Sequence, residues 1–154
     1  MLSPRLVKMI EDHAEELTES LIKDLQSNQR TPHYHSLSRE ELHHRTYDVY
    51  RNLGKWLSHE TEAAIESSYT CLAKRRFAEG IPLSEVVYAL ILTKEHLREY
   101  VRFAGLIDSA IELHSERELQ RQVGHFFDRA IYYTVKGFEQ EEAQHGKAAF
   151  QHAA

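Results

Sequence analysis

Glutamate and histidine dominate the side chains that could do chemistry, with nineteen Glu and eleven His in 154 residues. Such a composition invites a metal-centre reading. Di-iron helical bundles place Glu-x-x-His pairs on two helices and add one Glu from each of two others. Glu41-x-x-His44 and Glu142-x-x-His145 have this spacing. Chance alone yields such pairs in a chain so rich in both residues, and the second pair falls in a polar stretch that no bundle interior would enclose. A structural zinc site needs three or four convergent ligands. No His-x-x-x-His pair occurs, and Cys71 is the single cysteine. His33-Tyr34-His35 and His43-His44 therefore read as surface imidazoles, and no metal site is expected.

Nucleophilic and phosphate chemistry find no better footing. The chain has no Gly-x-Ser-x-Gly elbow, phosphate loop or dinucleotide fingerprint, and Cys71 reads as a small core residue on the apolar side of its helix. No catalytic residue is expected, and the chain is read as a non-enzyme. Haem would need one proximal histidine in a helical pocket; His96 and His125 are the two candidates, and ordinary hydrogen-bonded histidines are the competing reading. Tyrosines carry a more informative signal, because a buried phenol needs a polar partner and several of them can line a mixed pocket. Ordinary aromatic packing with the hydroxyls at the surface is the competing reading; a small-molecule pocket between the fourth and last predicted helices would take Tyr50, Tyr69, Tyr100, His96, His125, Phe126 and Tyr133.

These groups sit in a chain of single-domain size. Hydrophobic residues make up 42% and charged residues 28%, a composition suited to a packed core and too apolar for disorder. The net charge of −5 with His neutral argues against nucleic acid, which requires a cationic footprint. Lys74-Arg75-Arg76 reads as a solvated helix end. No run approaches the roughly 18 apolar residues that span a bilayer, and Met1 to Arg5 do not begin a signal peptide. A lone cysteine and no membrane insertion lead to the expectation of a cytoplasmic protein.

Helical periodicity runs throughout, with few breaks from six Gly and three Pro. A first helix after Pro4 carries Leu6, Ile10, His13, Leu17, Leu21 and Leu25 at spacings of three and four. A second opens at the Ser38–Glu41 capping box and ends between Leu53 and Ser58. A third, from about Glu60 to Glu79, turns Ala64, Ile65, Ser68, Cys71 and Leu72 inward. Gly80 stops it and Pro82 prevents its continuation. The fourth, to Ala104, has a broad apolar face that includes Val87, Ile91, Tyr100 and Phe103. Gly105 ends it, a short turn covers Asp108 to Leu113, and Ser115 with Glu118 caps a long last helix. The expected fold is all-α: one domain over residues 1–145 with about five long helices and a short one, in globin-like or bundle packing. Residues 146–154 are expected to form a frayed tail.

The segment Arg75-Arg76-Phe77-Ala78-Glu79-Gly80-Ile81-Pro82-Leu83-Ser84-Glu85-Val86, with Phe126-Phe127-Asp128-Arg129-Ala130 downstream and Leu37-Ser38-Arg39-Glu40-Glu41-Leu42 upstream, resembles the N-terminal sensory domain of RsbRD-type proteins, the RsbT co-antagonist family. The resemblance covers about Leu6 to Glu141. It implies a globin-like helical domain without obligatory haem that modulates a STAS, histidine kinase or other output domain, often as a homodimer whose last helix leads into that output. It implies no catalytic residue. The chain carries no output domain before Ala154, so it reads either as a standalone regulator acting on a protein partner or as the sensory piece of a longer signalling protein. Eleven histidines offer a further input, because protonation would carry the net charge from −5 to strongly positive.

Overall fold

A computed structural model of the chain describes residues 4–58, 62–104 and 110–153. The described residues form an all-helical domain: α1 (Pro4–Asp12), α2 (Ala14–Leu25), a 3-10 helix (Pro32–Ser36), α3 (Arg39–Arg51), α4 (Leu53–Ser58), α5 (Glu62–Ala78), α6 (Leu83–Ala104) and α7 (Ala110–Ala153). Helix α5 lies along α7, α6 packs on α7 and α2, and α3 closes over α2, with α1 against α3 and α4.

Local signals set several boundaries. The Ser38 hydroxyl accepts the Glu41 N–H at 3.2 Å, so an otherwise orphaned donor of α3 is satisfied. Gly80 adopts φ 75°, the left-handed conformation glycine tolerates. The Ile81 N–H then reaches the Arg76 carbonyl and the Gly80 N–H that of Phe77, which closes α5 in a Schellman arrangement. Ile81 tucks into the core behind it.

Two expected long helices are each broken once. His13 interrupts the first at φ −108°, ψ 19°; its Nδ1 lies 2.8 Å from the Met9 carbonyl oxygen, which the His13 backbone N–H also reaches at 3.2 Å. Asn52 interrupts the second, its amide donating to both the backbone and the carboxylate of Asp48. The last helix shows the opposite departure. It begins by Ala110, so Ser115 and Glu118 lie inside it and do not cap it. Glu118 instead receives hydrogen bonds from Arg121 and Gln122, which hold its carboxyl down at about 2. The backbone stays helical through residues 146–153, the stretch read as a frayed tail. The expected start at Glu60, the stop at Gly105 and the Asp108 end of the short turn lie outside the described residues.

Helix α5 is rotated by about one residue from the expected face. Ile65, Tyr69, Leu72, Ala73 and Arg76 are buried, whereas Cys71 is exposed, so the reading of Cys71 as a core residue is corrected. Turning this face inward buries the whole Tyr69 side chain and lets α5 approach α7 closely at Ala73, opposite Gly137. Phe103, expected to broaden the apolar face of α6, is 87% exposed. Thr18, Thr93 and Thr134 are buried without cost to their hydroxyls, each donating 2.7 Å to the carbonyl four residues back.

Candidate functional site

Among the described residues a cavity of about 40 Å³ lies in the core, bounded by α2, the 3-10 helix, α3, α5, α6 and α7. Most of its wall is aliphatic or aromatic: Leu25, Leu42, Val49, Leu72, Val86, Ala89, Leu90 and Phe127. Four polar side chains, Arg45, Thr46, Arg76 and Thr93, and the two phenols of Tyr34 and Tyr69 complete it. The inward stripe of α5 delivers Tyr69, Leu72 and Arg76 at spacings of three and four, and α3 delivers Leu42, Arg45, Thr46 and Val49 in the same way.

Both guanidiniums are held over aromatic faces. Arg45 lies 5.9 Å from the centre of the Tyr69 ring and donates to the Ser68 carbonyl and hydroxyl at 3.1 and 3.2 Å. Arg76 lies 5.6 Å from the centre of the Tyr34 ring and pairs with Glu79 at 2.9 Å. Its side chain is only 5% exposed, so Arg76 is not part of a solvated helix end as the sequence reading had it. Burial pushes the Arg45 guanidinium down from its ordinary value, with the neighbouring charges of Arg76 and Arg75 acting in the same sense. Burial likewise pushes the Tyr34 phenol up to about 12. Beside it, the buried Glu85 carboxylate accepts the His33 backbone N–H at 2.8 Å and pairs with the His33 ring. The guanidiniums can hold an anion and orient it, but they cannot shuttle protons near neutral pH.

The seven expected pocket residues fall in different places. Tyr69 lines the cavity. Tyr50 is fully buried next to it and donates its hydroxyl to the Thr93 carbonyl at 2.8 Å; burial raises its phenol strongly. Phe126 is buried against Trp56 and Tyr69, at 5.6 and 5.9 Å between ring centres, an aromatic triangle that joins α4, α5 and α7. His125 is exposed beside it, on a surface cleft of about 320 Å³ that Trp56, Glu62 and Arg129 share. Tyr133 donates to Glu62 at 2.6 Å, and this bond, with burial adding, pushes its phenol up to about 12. Tyr100 sits against His13 at the outer surface of α6. Neither His96 nor His125 lines the cavity. Arg45 and Arg76 were missed by the sequence reading. The available signal for Arg76 was a cation on the stripe that Tyr69 and Leu72 begin at spacings of three and four; for Arg45, it was a cation beside Leu42 and Val49 on α3.

His96 has a different role. It bridges α6 to α2, with Nε2 2.8 Å from Asp24 Oδ2 and Nδ1 3.3 Å from the Ser20 hydroxyl. Partial burial pushes the Asp24 carboxyl up, and the hydrogen bonds from His96 and Asn28 outweigh this and hold it below its ordinary 3.8. A carboxyl depressed on folding contributes stability that is present above its unfolded value and lost as pH falls through its folded one. The melting-temperature gap between wild type and Asp24→Asn is therefore expected to be constant above pH 3.8 and to shrink below it, as calorimetry at stepped pH would read.

Among the described residues one set of candidate metal ligands converges, Glu15, Glu19 and His43. Arg39 already pairs with both carboxylates. Glu41 is taken by Arg75, and His44, Glu142 and His145 are exposed.

Fold and cavity define an all-helical domain with a small cationic interior site. No family model matches this chain, and no curated protein or solved structure matches it.

Proposed function

We propose that this chain is a non-catalytic sensory or regulatory domain that acts through helix packing, in the manner of the RsbRD-type N-terminal domains it resembles. One observation carries the reading. Helix α7 lines the interior cavity with Phe127, is anchored in the core as far as Phe138, and then runs on with every residue from Glu142 to Lys147 exposed. At 1.5 Å per residue its 44 residues extend about 66 Å, so a shift of packing around the cavity would be carried to a surface well outside the core. The reading requires no resident cofactor, and it places the protein in the cytoplasm as a homodimer that docks on a protein partner or an output domain.

The outward face of α7 suits that role. Arg121, Asp128, Lys136 and Glu139 are exposed polar groups, and Tyr132, 59% exposed, supplies an aromatic anchor among them. Gln122 and Arg129 flank it, engaged with Glu118 and Glu62. Multi-angle light scattering from micromolar to millimolar concentration should show a dimer that Tyr132→Glu weakens. A wild-type chain that stays monomeric over the whole range would overturn the dimer relay.

The cavity favours a second reading, a small-molecule binding domain, and it is compatible with the first if ligand binding is the input.

A further inference from the structure

Two guanidiniums facing one apolar cavity need an explanation, because a buried cation is costly unless it is paired and hydrogen-bonded. Arg76 is satisfied only in part. Its Nη1 is taken by Glu79, but its Nε is buried with no hydrogen-bond partner. Arg45 donates to Ser68 and has no carboxylate partner among the described residues. Glu85, the other acidic group packed near the cavity, is engaged by the His33 backbone and ring. Glu79 thus pairs with Arg76, and Arg45 is the guanidinium of the cavity wall that has no paired carboxylate among the described residues.

We propose that the cavity binds a small monocarboxylate of acetate or propionate size, its carboxylate taken by Arg45 and the free Nε–H of Arg76 and its methyl end by Val49, Leu72 and Val86. Pairing sets the valence: Arg45, the one guanidinium in the wall with no paired carboxylate among the described residues, matches a monoanion, whereas phosphate or sulfate would bring in a second charge with no partner. Size sets the length. A volume of about 40 Å³, a few times the roughly 10–15 Å³ that admits one water, limits a guest to a few heavy atoms and excludes nucleotides and long-chain acids. Shape favours a carboxylate over a halide, since the planar fork of arginine matches two oxygens and a halide leaves the aliphatic wall unfilled. This inference deepens the sensory reading by naming its input, and it rests on that reading only for the consequence of binding.

Isothermal titration of the whole chain with sodium acetate, sodium propionate, sodium chloride and sodium sulfate at matched ionic strength tests it. One saturable site per chain is expected for acetate or propionate and none for chloride or sulfate. Arg45→Gln should weaken binding roughly tenfold or more, the scale of a lost charged hydrogen bond. Ala89→Val keeps both guanidiniums and fills the cavity from α6; it should also abolish the saturable heat while circular dichroism shows an unchanged fold. Absence of saturable acetate and propionate binding, equal binding of chloride, or full binding by Ala89→Val would each overturn the proposal. Saturable binding that leaves the light-scattering dimer constant unchanged upholds the site and counts against the relay, so the two readings fail separately.

Discussion

Replacing Phe127 with alanine is expected to lower the unfolding free energy by about 3–5 kcal/mol, the range for truncating a buried phenylalanine. Phe127 has no exposed surface, meets Phe126 edge to face at 5.1 Å and forms part of the cavity wall. Truncation would forfeit its transfer energy and enlarge an existing void, whose lining already lacks contacts on one side. Domains of this kind have about 5–15 kcal/mol in total, so the variant should be close to unfolding at physiological temperature. Urea denaturation followed by circular dichroism reads the change. Glu95→Ala, at an exposed position of α6, is the control and should shift stability by no more than about 0.5 kcal/mol. A Phe127→Ala loss as small as the control's would mean that α7 is not docked as described.

Two glycines in α7 should respond to alanine with opposite signs. In a helix interior Gly→Ala is worth about 1 kcal/mol in favour of the folded state. At Gly124 the added Cβ would meet only Arg98 Nη2, at 2.9 Å, the far end of a flexible side chain. Arg98 can swing aside, and most of the propensity gain should survive. At Gly137 the added Cβ would meet Ala73 Cβ at 3.0 Å and the Thr70 Cα at 3.1 Å. That second contact is backbone, so relief requires α5 and α7 to separate. Overpacking of this kind costs roughly 1–3 kcal/mol, which exceeds the propensity gain. Gly124→Ala should thus raise the melting temperature and Gly137→Ala lower it. The two-variant comparison cancels any effect of the residue type alone. If the relay operates through α5–α7 packing, Gly137→Ala should also change the dimer constant, and Gly124→Ala should not.

Much of this molecule can be read from the sequence, because backbone geometry acts over three or four residues. Ser38 and Glu41 mark a helix start, Gly80 and Pro82 mark a stop, and Leu119, Val123, Phe126, Phe127, Ala130, Thr134 and Phe138 trace the buried face of α7. Signals of this range decide where a helix begins and which stripe it hides when one stripe is plainly apolar. They decide less where apolar and polar residues mix, as along α5, where Cys71 and Leu72 compete for the same side. There the rotation about the axis was set by α7, which gains more from taking Tyr69 and Ala73 than from Cys71 and Ser68. The same long-range choice carried Arg76 into the interior although its neighbours Lys74 and Arg75 stay in water, and it scattered the expected tyrosine pocket over several surfaces. His13 and Asn52 stand at two helix breaks, each with its side chain against the carbonyl four residues back, although the periodic stripes run past them. The helical stripes and the boundaries at Ser38 and Gly80 therefore belong to the sequence by itself. The cationic cavity belongs to the tertiary structure, because it exists only where side chains from six elements converge, and no spacing along one helix encodes that meeting.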